Sequence, residues 1–159
     1  MSKYPTPQYR IVKALLAGLL ITVLPPIWAD SSKEDACDKR EDLMKDMGKH
    51  MKAIKKVLAG ATDEGTVAEH ANQMATLTNT LSTDLKTLFP VGSDHGDSQA
   101  KPNIWQNWAE FEKIAQSAAT KGAALPKIVA GGDSAAIQSA YKELGDVCKS
   151  CHKDYRTEK

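Results

Sequence analysis

The sequence predicts an all-α protein with the architecture of an antiparallel four-helix bundle. Three observations support this fold class. Apolar residues recur at intervals of three and four along four segments, which is the period of one face of a helix. Residues that favour turns separate those segments. No segment alternates apolar and polar residues for long enough to form a strand.

The amino-terminal segment has the layout of a secretory signal peptide. Basic residues precede an apolar run over residues 14–24, which is about half the length of a membrane-spanning helix, and two prolines follow it. We therefore expect residues 1–29 to be removed by cleavage after Ala29. The mature chain, residues 30–159, is then a single periplasmic domain with no stable membrane insertion.

Charge narrows the function classes further. Removal of residues 1–29 takes away three of the 21 basic residues and leaves 18 against 20 acidic ones, a net charge of −2. This balance gives no sign of a nucleic-acid-binding protein, whose contact surface is basic. Three cysteines are an odd number for an exported chain, in which cysteines usually pair.

The first two predicted helices each carry one apolar stripe. The first covers residues 32–59 and ends at Gly60. The second covers about 66–88 and ends at Phe89 and Pro90. The stripe of the first helix consists of Met44, Met47, Met51, Ile54 and Leu58, and that of the second of Val67, Ala71, Met74, Leu77, Leu81, Leu85 and Leu88.

The third helix follows a turn-rich loop over residues 90–102, the one long connection in the chain. We expect Pro126 to bend or interrupt this helix, because proline lacks the amide that a helix interior needs. Gly131 and Gly132 end the segment. The apolar positions of the third helix are Ile104, Trp108, Phe111, Ala115 and Ala118.

Asp133 or Ser134 is expected to cap the fourth helix by accepting a hydrogen bond from its first turn. The stripe of this helix consists of Ile137, Ala140 or Tyr141, Leu144, Cys148, Cys151 and Tyr155. Short connections and one long crossover suit an antiparallel bundle, a class whose cores often hold cofactors.

The run Cys148-Lys149-Ser150-Cys151-His152 carries the chemistry. Covalent haem attachment needs two thiols that reach the vinyl groups on one porphyrin edge and an imidazole that reaches the iron from the same side. The C-x-x-C-H pattern supplies these groups, and spacings of three and four place them on one helix face. The sequence therefore predicts one haem c per chain, bound through Cys148 and Cys151, with His152 as the axial iron ligand.

Three other interpretations of the cysteines compete with haem attachment. A thioredoxin-like redox pair accompanies a strand–helix–strand pattern, which this sequence lacks. A structural zinc site needs four ligands, and only Cys37 could join the cluster, from a distant segment. A disulfide between Cys148 and Cys151 would close a very small ring and leave His152 unexplained.

The sequence combines an export signal, four helices and this motif in the last helix. In this combination it resembles the cytochrome c′ family, the class II c-type cytochromes. The resemblance covers the whole mature chain. Members carry the motif near the carboxyl end of the fourth helix, usually with an Arg or Lys a turn beyond the ligand histidine, and residues 148–156 match this pattern with Arg156 at their end. Class I cytochromes c place the motif near the amino end.

The first helix is similar to the branch of the family in which the distal residue is a ligating methionine. The first helix of the family has an Arg, then the distal residue four positions on, then a glycine. In this sequence these residues are Arg40, Met44 and Gly48. The resemblance implies that Met44 ligates the iron opposite His152, which raises the reduction potential. It also implies haem-binding roles for Arg40, at a propionate, and for Arg156. Without the resemblance, Met44 is a core residue and Arg40 an exposed helix charge.

Simpler expectations hold for the remaining candidate side chains. His50 lies well off the stripe that contains Met44, and His70 and His95 are expected at the surface. Cys37 is expected to be a small buried hydrophobe, with an intermolecular disulfide as the alternative. Large rings on the third helix are expected to cover haem or bundle core: Trp105, Trp108 and Phe111.

These observations together predict a periplasmic monohaem c-type cytochrome that transfers electrons. Its expected partners are redox proteins and no nucleic acid, and a homodimer is left open. The alternative is a five-coordinate cytochrome c′, in which Met44 only lines the distal pocket and nitric oxide or carbon monoxide binds the iron. An enzyme is not expected, because no acid–base or nucleophile constellation accompanies the haem motif.

Overall fold

The computed structural model describes residues 28–61 and 65–158. These residues form six helices: α1 (Trp28–Leu58), α2 (Val67–Thr83), α3 (Leu85–Leu88), α4 (Asn103–Gln106), α5 (Trp108–Ala130) and α6 (Ser134–Tyr155). The four long helices confirm the predicted all-α bundle, and α3 and α4 are single turns. The predicted signal peptide covers residues 1–29, of which residues 1–27 lie outside the described residues, and it stays a prediction.

The four long helices pack as a ring in which α2 contacts α1 and α5, and α6 contacts α5 and α1. Within the described ranges the only strand-like pairing is an isolated bridge between Ala100 and Arg156, which ties the long loop to the end of α6. No helix in these ranges is long and apolar enough to cross a bilayer.

The second helix is shorter than the sequence predicts, because it breaks at Asp84 instead of continuing to Leu88. The Thr83 hydroxyl donates to the Thr80 carbonyl oxygen at 3.4 Å and to Asp84 Oδ1 at 3.2 Å. Short polar side chains of this kind compete with the backbone for helical hydrogen bonds. The amino end of α2 is fixed by a capping box between Thr66 and Glu69.

The third helix starts as the separate turn α4 and is not interrupted at Pro126. Helix α5 continues through this proline to Ala130. Pro126 lies close to the helix end, so its missing amide removes a hydrogen bond only from the last turns. The predicted cap of α6 is confirmed, since the Asp133 carboxylate accepts from the amides of Ala135 at 2.9 Å and Ala136 at 3.3 Å.

One apolar core runs between the helices. Its fully buried side chains include Ile54 of α1, Met74 of α2, Leu125 of α5 and Leu144 of α6. Helices α2 and α5 approach closely at Gly122, where an added Cβ would overlap the hydroxyl of Thr78.

Candidate functional site

The three chemical groups of the predicted haem motif lie on α6, close to its carboxyl end. Cys148 and Cys151 are half-buried and pack against the apolar core, and His152 is half-buried beside them. Helical spacing brings all three onto one side of α6. Both sulfurs are free thiols in the structure, as is that of Cys37.

Burial sets the protonation of this donor set. It raises the pKa of the Cys148 thiol, and it raises the pKa of Cys151 to about 11, with smaller contributions from Cys148 and Asp154. Burial also lowers the pKa of His152, helped by the charge of Arg156. These shifts favour thiols over thiolates and the neutral imidazole, the form of histidine that binds metal ions.

Methionines of α1 pack into or against the apolar core. Met47 is buried, and Met44 and Met51 are partly buried against the same apolar cluster. An added Cβ at Gly145 of α6 would lie 3.7 Å from Met51 Cε. Met51 Cε therefore lies beside the backbone of α6 at Gly145.

Arg40 corrects the expectation of an exposed helix charge, because only 6% of its surface is exposed. Its Nη1 donates to the Leu88 carbonyl oxygen at 3.0 Å and to Ser93 Oγ at 3.1 Å. Its Nη2 donates to the Ser93 carbonyl oxygen at 3.0 Å and to Ser98 Oγ at 2.8 Å. The guanidinium carbon lies 4.8 Å from the centroid of the Phe89 ring. Arg40 therefore holds the start of the long loop against α1.

Arg156, the other predicted haem-binding arginine, is exposed and follows the last turn of α6. Its Nε donates to Gln99 Oε1, while its backbone amide donates to the His152 carbonyl oxygen at 3.1 Å. Arg156 thus joins the loop to the turn that carries His152.

Aromatic side chains pack together beside the motif. Tyr155, one turn beyond Cys151, meets Phe111 edge-on with ring centroids 5.1 Å apart, and Phe111 meets Phe89 in the same way at 4.8 Å. Trp108 lies 5.8 Å from Phe111. The sequence-based expectation that rings of the third helix cover the core is confirmed for Phe111, which is buried.

Two polar anchors of this region were not predicted from the sequence. Lys101 Nζ donates to the Lys153 carbonyl oxygen at 3.0 Å, and Asn103 Nδ2 donates to the Asp154 carbonyl oxygen at 2.9 Å. These bonds satisfy carbonyls that the end of α6 leaves without helical partners. The Lys-Pro-Asn run before α4 marks this region in the sequence. It does not indicate the partners, because they lie about fifty residues further along the chain.

Other predicted side chains differ from expectation. His95 is exposed, as expected, but His70 is buried, because it faces His50 across the contact between α1 and α2. Cys37 is half-buried and lies outside the apolar core, so it is not the small buried hydrophobe expected.

A structural zinc centre needs four ligands. Among residues 28–61 and 65–158, no three His, Cys, Asp or Glu side chains are grouped to hold a metal ion.

Comparisons with known proteins agree with this arrangement. Residues 35–156 match the family described as Cytochrome C'. A cytochrome c' from Allochromatium vinosum is 30% identical over 153 residues, covering 92% of this chain and 97% of the relative. A cytochrome c-556 from Agrobacterium tumefaciens is 35% identical over 127 residues, covering 77% of this chain and 97% of the relative.

The fold also matches a solved structure described as a cytochrome c' with an unusual ligand-controlled dimer dissociation. The TM-score is 0.71 at 30% sequence identity, and the match covers 79% of this chain and 97% of the other. The similarity therefore extends over 97% of each of these three relatives.

Proposed function

Because the chain belongs to the cytochrome c′ family, we propose that it is a periplasmic monohaem electron carrier that exchanges electrons with redox partner proteins. Cys148 and Cys151 anchor the haem. His152 and Met44 would ligate its iron. The family binds haem c covalently, and this chain has the C-x-x-C-H motif for that attachment. When bound, the haem supplies a one-electron iron couple.

The donor set on α6 is the observation that carries the proposal. Two thiols and an imidazole share one half-buried side of a single helix. Burial raises the pKa of both thiols and lowers the pKa of His152, which favours the neutral form of each group. The residue types, their spacing and their orientation towards the apolar core fit a haem that is attached along one edge and ligated from the same side.

The register between α1 and α6 supports Met44 as the second ligand. Met51 lies at the level of Gly145. Met44 precedes Met51 by seven residues, and His152 follows Gly145 by seven. Seven residues rise about 10.5 Å and fall only about 20° short of two full turns. Since the two helices run in opposite directions, this register supports a position of Met44 near the level of His152.

The surroundings of the motif suit a carrier. The aromatic cluster of Phe89, Phe111 and Tyr155 covers the carboxyl end of α6. An apolar shell limits solvent access and helps to set the potential of a metal centre. A thioether ligand opposite an imidazole raises the potential further. The side chains thus act by binding, shielding and tuning, and no acid–base step is assigned to them.

Export is part of the proposal. Cleavage after Ala29 would release residues 30–159 into the periplasm. Amino-terminal sequencing of protein purified from the periplasm tests this assignment. A mature chain that still begins with residues 1–29 would contradict it.

A five-coordinate ligand binder is the second candidate function. In that case Met44 only lines the distal pocket, and nitric oxide or carbon monoxide binds the iron. The relative with ligand-controlled dimer dissociation favours this candidate. So does the packing of Met44, because Met47 and Met51 continue the same stripe without any proposed metal contact.

Optical spectra of the ferric and ferrous protein separate the two functions. Two strong axial ligands give low-spin spectra in both oxidation states, which is the result expected for the carrier. High-spin spectra would favour the ligand binder and remove Met44 from the coordination of the iron.

A further inference from the structure

Two histidines from neighbouring helices face each other away from the haem motif. His50 Nδ1 of α1 lies 2.9 Å from His70 Nδ1 of α2, and the ring centroids are 5.2 Å apart. His50 is half-buried, whereas only 9% of His70 is exposed. Nothing in the proposed electron carrier uses this pair.

A hydrogen shared between the two Nδ1 atoms leaves the Nε2 atoms of both rings in need of partners. At this distance the two Nδ1 atoms have room for one hydrogen between them, so each ring must find a partner for its Nε2 elsewhere. His70 Nε2 is buried, and no hydrogen-bond partner for it is present among residues 28–61 and 65–158. A buried ring nitrogen without a partner is costly and calls for an explanation.

We propose that His50 and His70 form a bidentate site for a divalent transition-metal ion that prefers tetragonal geometry, such as Cu²⁺ or Ni²⁺. Imidazole nitrogens bind such ions at about 2.0–2.1 Å. With 2.9 Å between the two Nδ1 atoms, the angle at the metal is about 90°, the cis angle of square-planar and octahedral sites. A tetrahedral ion such as Zn²⁺ would need the nitrogens about 3.3 Å apart.

Metal binding would also give His70 Nε2 a role. With both Nδ1 atoms on the metal, each ring carries its hydrogen on Nε2. An added Cβ at Gly65 would lie 3.1 Å from His70 Nε2 and 3.2 Å from Glu69 Oε2, so both atoms border the same small space. Histidine ligands commonly donate their second N–H to a carboxylate, which fixes the ring. Glu69 Oε2, which already accepts from the Thr66 amide at 2.7 Å in the capping box, would be the acceptor.

Charge near the pair is mixed. Asp46 lies one turn before His50 on α1 and favours a cation, whereas Lys49 opposes one. From α2, Glu69 adds a second negative charge near His70. The histidines are the two protein ligands, and solvent fills the remaining positions. Binding to a neutral pair releases no proton, because the shared hydrogen moves to Nε2, and binding to a singly protonated pair releases one.

Calorimetric titration of the untagged, haem-loaded protein with NiCl₂ at about pH 7.5 tests the site. We expect one Ni²⁺ per chain, an unchanged haem spectrum and weaker binding at about pH 5.5. His50→Gln should weaken binding by at least about tenfold, the loss typical even of changes behind a ligand. The matched control is His95→Gln in the exposed loop, which should bind Ni²⁺ as the wild type does.

His70→Gln should give the same loss as His50→Gln. If the buried substitution prevents folding, His50→Gln decides, since His50 is partly exposed. The proposal is overturned if the wild type binds no Ni²⁺ up to millimolar concentration. It is equally overturned if His50→Gln binds like the wild type, or if His95→Gln loses the ion instead.

Discussion

Arg40 makes two hydrogen bonds to Ser93: Nη1 donates to the serine hydroxyl at 3.1 Å, and Nη2 donates to its carbonyl oxygen at 3.0 Å. Ser93 is itself 1% exposed. The partners described for Arg40 are carbonyls, hydroxyls and the Phe89 ring, all of them neutral. The buried guanidinium therefore organises the loop that follows α3.

Replacement of Arg40 by Leu should lower the free energy of unfolding by on the order of 3 kcal/mol, because Leu88 and Ser93 lose a buried donor. Urea denaturation followed by circular dichroism measures the change. Lys39→Leu, at the exposed neighbouring position, is the control and should change stability by less than about 0.5 kcal/mol. Equal effects of the two substitutions would show that the loop does not depend on Arg40.

Gly122→Ala should destabilise the bundle, even though alanine is the better helix former. A Cβ at this position would overlap Thr78 Oγ1 and lie 3.0 Å from Thr78 Cβ, so α2 and α5 must move apart. Overpacking of this kind costs about 1–3 kcal/mol. In thermal denaturation, the double variant Gly122→Ala with Thr78→Ala should lose less stability than the sum of the losses of the two single variants. Strict additivity would mean that the two residues do not meet.

Acid should weaken the contact between α1 and α2. Burial lowers the pKa of His50 below its ordinary value of 6.5, with further lowering by His70 and Lys49 and an opposite effect of Asp46. The unfolded chain therefore takes up a proton at a higher pH than the folded chain, and stability is lost as the pH falls from above 6.5 through the folded pKa. His50→Gln should flatten this part of a plot of unfolding free energy against pH. An unchanged slope would contradict the assignment.

Helix positions followed from local patterns because both the apolar period and the end signals act over short distances. Gly60 and Gly132 end helices with φ of 79° and 72°, a conformation that glycine adopts without a steric penalty. Asp133 caps α6 through amides two and three residues away. The C-x-x-C-H motif is also local, so its placement on one side of α6 could be predicted.

The remaining features depend on residues that are far apart in the chain. Arg40 is buried by carbonyls and hydroxyls about fifty residues away, and no pattern within the first helix indicates them. His70 is buried by His50 of another helix. The break at Asp84 lies where the Thr83 hydroxyl donates to the Thr80 carbonyl oxygen and to the Asp84 carboxylate, and the apolar stripe of α2 does not reveal it.

Replacement of both Cys148 and Cys151 by Ala should leave a protein whose haem is extracted by acid–acetone, whereas the wild type retains its haem. The reason is that the two thioether bonds are the only covalent links predicted for the haem. Cys37→Ser is the control and should keep covalent haem, since Cys37 lies outside the motif. A double variant that keeps its haem, or a folded Cys37→Ser protein that loses it, would refute the attachment.

Met44 separates the electron carrier from the ligand binder. If its sulfur occupies the sixth position of the iron, carbon monoxide must displace it, and the wild-type protein should bind carbon monoxide slowly. Met44→Ala would remove the sulfur but also leave a cavity at a partly buried position, at a cost of about 2–5 kcal/mol. Met44→Leu keeps a similar volume, and such exchanges usually cost less than about 1.5 kcal/mol. Leucine is therefore the variant that reports on ligation.

The most direct measurement is the optical spectrum of the wild type and of Met44→Leu in both oxidation states, with the rate of carbon monoxide binding to the ferrous forms. Met47→Leu, on the same stripe, is the control. The account predicts a low-spin wild type and Met47→Leu variant, and a high-spin Met44→Leu variant that binds carbon monoxide much faster with its haem still attached. A high-spin wild type, or a low-spin spectrum unchanged by Met44→Leu, would contradict ligation of the iron by Met44.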